Sequence, residues 1–300
     1  MIHPGEVEID ELQLSGSFRV GDLQVHHVSD GVQLGPRQSW FTGIDPEVWT
    51  PVLGVDSADA LFPVNYGCFV VVDQGEVTLV DSGWGPSAGT KDDIRAGGEM
   101  LTRLSELGIE RGDIKRIIQT HLHADHCGWL WDEETKAPTF PNAEILISAP
   151  ELDYWTGQEA DDDPMAPYTR SRVLPCMEAG LVRVIDDVEY QVSPSMSLIP
   201  TPGHTAGHVV LHLESAGQHA LLLGDVVHHP IHFTHFDWLP VIDRDPVKSV
   251  RSREAMARLA VELNAIVTAP HMPILTIGRV EVDSDGQFRF VEVTAEVAGA

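Results

Sequence analysis

His121-Leu122-His123-Ala124-Asp125-His126 stands just beyond the apolar run Ile114 to Ile118 and packs three imidazoles and a carboxylate into six residues. No packed core needs that composition, because side chains of this kind lose their hydration on burial unless something pairs with them. Imidazole and carboxylate together suit a borderline divalent cation such as zinc. Four of them so close in sequence can serve two cations, since neighbouring side chains point apart. The stretch therefore reads as half of a dinuclear site placed at the end of a strand.

The rest of the chain repeats that arrangement. Val77 to Val80 ends at Asp81, Leu198 to Ile199 leads to His204, Leu221 to Leu223 to Asp225, and Ala265 to Val267 to His271. In sheets that alternate with helices, ligands gather outside one end of the strands, so five loops scattered between positions 81 and 271 can converge on one edge. Hairpins are expected at Gly21-Asp22, Gln74-Gly75 and Asp285-Gly286. A helix is expected over Thr90 to Gly108, with Thr90 as N-cap and Ile94, Leu101, Leu104 and Leu107 at helical spacing. Another opens at Asp245-Pro246, where Val250, Met256, Leu259 and Leu263 form a core stripe.

Three hundred residues can bury roughly 75% of the unfolded chain's surface. No repeat, low-complexity block or linker divides them, and a single domain over 1–300 is expected. Within it, an amino-terminal extension over 1–60 and an insertion at about 150–180 are candidate segments to cap the site. No apolar stretch is long enough to span a bilayer. The start lacks a secretory signal, which a processed chain would lack too, and a cytoplasmic location is expected. The three cysteines, Cys68, Cys127 and Cys176, are read as reduced thiols, with Cys127 a small buried residue rather than a thiolate ligand. A formal charge of −27 argues against nucleic acid, because it repels polyanions. The expected partner is a small-molecule substrate, with no nucleic acid and no membrane.

Thr201-Pro202-Gly203-His204-Thr205-Ala206-Gly207-His208, then Gly224-Asp225, then Ala269-Pro270-His271 complete an ordered set of motifs. With HxHxDH at 121–126, this set resembles the metallo-β-lactamase fold superfamily. The resemblance covers about Tyr66 to His271. It implies an α+β fold, a four-layer αβ/βα sandwich of two mixed β-sheets flanked by helices. It also implies His121, His123 and His204 as ligands of a first metal, and Asp125, His126 and His271 as ligands of a second. Asp225 would bridge them, and Asp81 would support them from behind. His208 is read as a supporting residue. His229, His232 and His235 are read as ordinary residues rather than a third metal site, and His26-His27 as lying far from the motifs.

Two divalent cations roughly 3.5 to 4 Å apart can hold a shared water, lower its pKa and present hydroxide as a nucleophile. Hydrolysis is the natural use. Zinc is the first expectation, and manganese, iron or cobalt fit the same donors. Within the superfamily the motifs resemble the acyl-homoserine lactonase and methyl parathion hydrolase-like branch, which implies a small, largely uncharged lactone, ester or phosphotriester. That branch also points to a homodimer. Asp125 is a candidate proton shuttle and His228 a candidate donor to the substrate, at a position where the lactonases hold tyrosine. The competing readings are an iron-dependent dioxygenase or diiron redox protein of the same fold, a thioesterase, or a β-lactamase. The aromatic stretches Ser39 to Leu53 and Leu152 to Leu174 are candidate pocket walls.

Overall fold

Alternate residues of a strand leave by opposite faces of its sheet, and in this chain both faces of the central strands are apolar. The consequence is layering. The structure, a computed structural model, describes residues 15–36, 40–54, 61–86, 95–186, 189–272 and 276–293. In the first half, strands are β1 (Ser15–Val20), β2 (Leu23–Pro36), β3 (Leu61–Asp73), β4 (Glu76–Val80), β5 (Arg95–Gly97), β6 (Ile114–Ile118), β7 (Trp131–Asp132), β8 (Ala137–Pro138), β9 (Glu144–Ser148) and β10 (Val182–Ile185). All but the small β7–β8 ribbon form one sheet, in the order β1-β2-β3-β4-β6-β9-β10 with β5 laid on β2. Its pairings are antiparallel from β1 to β4 and parallel from β4 to β10.

The second sheet takes its strands in chain order: β11 (Tyr190–Ser193), β12 (Met196–Pro200), β13 (Val209–Ser215), β14 (Gln218–Leu222), β15 (Ile266–Thr268), β16 (Gly278–Val282) and β17 (Phe288–Glu292). Only β14 and β15 pair in parallel, so this sheet too is mixed. The six α-helices of the described residues are α1 (Pro46–Leu53), α2 (Met100–Glu106), α3 (Ala124–Cys127), α4 (Ala149–Thr156), α5 (Ala166–Glu178) and α6 (Pro246–Glu262).

Three apolar layers result. Phe69, Val71, Val80 and Ile118 face Leu198, Leu211, Ala220 and Leu222 between the sheets. Their neighbours Val70, Leu79 and Ile117 point the other way and bury Leu104, Trp155 and Val173 of α2, α4 and α5. On the far side, Leu221 and Val267 pack against Met256, Ala257 and Ala260 of α6. This is the expected four-layer α+β sandwich, and the β1–β2, β3–β4 and β16–β17 hairpins turn where the sequence places them. The stretch expected as an extension contributes β1 and β2, whose Phe18, Val20, Leu23 and Val25 enter the inter-sheet core. The helix expected over 90–108 starts only at Met100, because Arg95–Gly97 are extended and pair with Gly31–Gln33. Thr90 and Ile94 lie outside the described residues.

Candidate metal centre

Parallel strands β4, β6 and β9 end on the same side, and the loops beyond them carry the site. Past β6 the chain bends at Thr120 and reaches His123, which is extended as the N-cap of α3. His121 and His123 leave by one side of the loop, while Asp125 and His126 ride on the helical turn. Beyond β14 the chain enters a single 3-10 turn, Gly224–Val226. Gly224 has φ +51°, and a Cβ on it would lie 2.6 Å from Nε2 of His208, so the turn needs glycine to bring Asp225 into place.

All seven residues named as ligands converge into two groups. The donor atoms of His121, His123, His204 and Asp225 lie within 4.8 Å of one another, as do those of Asp125, His126 and His271. In the first group His123 Nδ1 is 3.0 Å from both His121 Nε2 and His204 Nε2. In the second, His271 Nε2 is 3.3 Å from His126 Nε2 and 3.4 Å from Asp125 Oδ2. Asp225 stands between them, its Oδ2 3.2 Å from Nε2 of both His204 and His271 and its Oδ1 3.4 Å from His126 Nε2. Every one of these side chains is buried except Asp125, which is 16% exposed.

The outward nitrogens of four imidazoles are each held by an acceptor. His121 Nδ1 faces Thr120 Oγ1 at 3.0 Å, His126 Nδ1 faces Asp81 Oδ2 at 2.9 Å, His204 Nδ1 faces Asp243 Oδ1 at 2.8 Å, and His271 Nδ1 faces the Asn65 carbonyl at 2.6 Å. A proton on the outward nitrogen leaves a lone pair on the inward one. Crowded inward lone pairs, with an Asp225 Oδ1 that has no hydrogen-bond partner among the described residues, make a donor set that fits divalent cations.

The electrostatics carry the same signature. Burial pushes His121 and His123 well below the usual imidazole range. Burial acts on His126 and His204 as well, but Asp225 with Asp125 and Asp81 raises the first well above that range, and Asp225 with Asp243 lifts the second to about 9. Asp225 is held well below the carboxylate range in spite of its burial, by His271, His126 and His228. Where cations replace these protons, binding releases them.

Several residues besides the ligands take part. Asp81, expected as a supporter, accepts from Thr120 N, Thr120 Oγ1 and His126 Nδ1, and holds a left-handed φ of 60° to do so. Asp243 was not singled out, and Arg253 Nη2 lies 3.6 Å behind its other oxygen. His27, read as remote, is a correction: its Nε2 is 3.0 Å from Asn65 Nδ2, one step from His271, because the long β2–β3 pairing carries it to the site. His208 accepts from Asp225 N at 2.9 Å, a supporting place as expected. Cys127 is buried with its thiol toward the Leu122 carbonyl. His229 and His232 accept from Ile231 N and His228 N, and His235 stacks on Trp238 at 4.0 Å, so these three do not converge.

His228 is fully buried, with its ring stacked on His271 at 5.6 Å and 3°. Its Nε2 is 3.2 Å from Asp225 Oδ2 but off the line of a hydrogen bond, and neither ring nitrogen has a hydrogen-bond partner among the described residues. Trp40 lies over it at 4.6 Å and over His271 at 6.0 Å. Phe41, Trp49 and Trp238 pack together to anchor that segment, and Thr42 N donates to the Leu239 carbonyl. Of the second candidate wall, Trp155 is buried with its ring edge-on to His123 at 5.7 Å, while Leu174 is exposed. Ser39 lies outside the described residues.

A family model described as the metallo-beta-lactamase superfamily matches residues 62–268. Over 156 residues the chain is 33% identical to the uncharacterized protein YobT of Bacillus subtilis, covering 49% of this chain and 56% of that protein. Over 170 residues it is 27% identical to an N-acyl homoserine lactonase of a Bacillus species, covering 52% of this chain and 61% of the lactonase. The chain thus spans little more than half the length of these curated relatives. Among solved structures, that of AidC, described as a dizinc quorum-quenching lactonase in complex with a product N-hexnoyl-L-homoserine, has a TM-score of 0.81 at 22% identity, over 94% of this chain and 99% of that chain. Among the described residues no helix is long and apolar enough to cross a membrane.

Proposed function

The chain belongs to the metallo-β-lactamase superfamily, and from that premise we propose that it is a dinuclear metal-dependent hydrolase whose preferred substrate is a small, largely uncharged lactone, with esters and phosphotriesters as lesser substrates. The observation that carries this reading is the position of Asp225, whose two oxygens face both donor groups at once. His121, His123 and His204 would hold one cation, Asp125, His126 and His271 the other, with Asp225 shared. Zinc suits five imidazoles and two carboxylates best. When bound, such a pair supplies Lewis acidity and brings the ionisation of water near neutral pH.

The chain's own groups then orient the substrate and move its protons. Burial holds the His228 ring down at about 4, so it is neutral at pH 7 and offers one N–H. From its place beside Asp225 that N–H can reach the oxygen that gathers charge as an ester or lactone carbonyl is attacked. Asp125, the most exposed carboxylate of the cluster, stands where a leaving alkoxide can take up a proton. Trp40 over His228 and His271, with Tyr66 5.1 Å from Trp84, lines the approach with aromatic surface suited to an apolar acyl chain. Similarity to N-acyl homoserine lactonases favours a lactone over the other esters.

The test is a panel of N-acyl homoserine lactones, aryl esters and phosphotriesters offered to zinc-loaded protein, with lactone opening followed by proton release. Lactones should be turned over best, chelation should abolish the activity, and returned zinc should restore it. Zinc-loaded protein that turns over none of the panel, or chelated protein that keeps its rate, overturns the proposal.

A further inference from the structure

Leu122 lies between His121 and His123, and Gly207 lies between His204 and His208, so the two backbone amides mark the centres of two loops that share no covalent connection near the site. One side chain holds both. Glu151, at the start of α4 and fully buried, accepts from Leu122 N at 2.9 Å through Oε1 and from Gly207 N at 3.0 Å through Oε2. Trp155 Nε1 donates to Oε1 at 2.7 Å and locks the rotamer from one turn further along the helix.

The contact is built from both sides. A Cβ on Gly207 would fall 2.3 Å from Glu151 N and 2.3 Å from Ser148 Oγ, so only glycine lets this loop settle onto the head of α4. Ser148 Oγ donates to the Gly207 carbonyl at 2.5 Å, and Thr169 Oγ1 of α5 donates to the Leu122 carbonyl at 2.9 Å. The second donor group is held without Glu151, by Asp81 on His126 and Asn65 on His271; Asp81 reaches the first group only through Thr120.

We infer that Glu151 is a positioning residue: its carboxylate sets the spacing of His121, His123 and His204, and so tunes one of the two cation sites selectively. The inference rests on the two-cation reading of the centre. A glutamine in its place has the same shape, but its amide nitrogen must face one of two N–H donors, Leu122 or Gly207, and cannot accept from it. One loop is then released while the fold around Asp81 and Asn65 is untouched.

Cobalt(II) is the probe, titrated into metal-depleted full-length protein and followed by bound-metal analysis and visible absorption. Wild-type protein should take up two cobalt ions. The Glu151→Gln variant should keep one at near wild-type affinity and bind the other tenfold or more weakly, with the lost absorption being that of the histidine-rich site. A residue that merely supports the fold would weaken both sites alike. Two cobalt ions bound at wild-type affinities, or equal weakening of both, would overturn the inference. Uptake of only one by wild-type protein would overturn the two-cation reading itself and this inference with it. If Glu151→Gln does not fold, Ser148→Ala removes the other tether of Gly207, and should weaken the same site a few-fold; an unchanged affinity there counts against the inference.

Discussion

Oδ1 of Asp243 lies 2.8 Å from Nδ1 of His204, on the side of the ring that faces away from Asp225. That hydrogen bond fixes the ring's orientation, puts its proton outward and makes the inward nitrogen a better donor. Asp243→Asn keeps the shape but loses the charge. Affinity for the cation that His204 would hold should fall about 10- to 100-fold. Competition against a chromogenic chelator reads this directly, and an unaltered affinity would remove Asp243 from the account of the site.

His228 offers the sharper test of catalytic role. His228→Phe retains the ring stack on His271 and the contact with Trp40 while deleting both nitrogens. Loss of one preorganised donor to a developing oxyanion costs about 100- to 1,000-fold in turnover. Both cations should stay bound. His228→Tyr, which puts a hydroxyl at the position where the resembled lactonases carry one, should recover part of the lost rate on lactones. Equal loss in the two variants, or loss of metal in either, would assign His228 to the structure of the centre instead.

The local part of the site is readable in the chain because its residues are contiguous or follow strands: His121 to His126 are consecutive, and Asp225 and His271 sit a few residues beyond β14 and β15. The supporting part is not readable in the same way. Glu151 and Asp243 are two of 46 acidic residues, and nothing beside them in sequence separates a carboxylate that accepts buried N–H groups from one that faces water. Asn65 and His27 reach the centre only through the pairing of β2 with β3, a relationship of register rather than of motif. The start of α2 is hidden for a similar reason. Arg95–Gly97 have no strand pattern of their own and become extended by pairing with β2.

Trp40 tests the apolar wall. Its ring covers His228 and His271 but accepts no role in holding a cation. Trp40→Ala should raise KM for long-chain N-acyl lactones about tenfold, the equivalent of about 1.4 kcal/mol, and change KM for short-chain ones little, with kcat nearly constant. Steady-state kinetics across a series of acyl lengths distinguishes this from a general disturbance, in which all lengths would suffer together.

His27 gives the fold a pH dependence that can be measured apart from activity. Burial alone lowers its pKa to about 4, and its ring sits 5.0 Å from Phe69 and against the Asn65 amide. Above about pH 6.5 the ring is neutral in both folded and unfolded chains, and its titration does not affect stability. As the pH falls below that value the unfolded chain takes up a proton that the folded chain refuses until about pH 4, so unfolding is favoured. The loss from this one ring is about 2 kcal/mol between about pH 7 and pH 5. Urea unfolding of metal-depleted wild-type and His27→Asn proteins at these two pH values should show the difference smaller in the variant by that amount. An identical pH dependence in the two proteins would mean that His27 is protonated, or solvated, inside the fold.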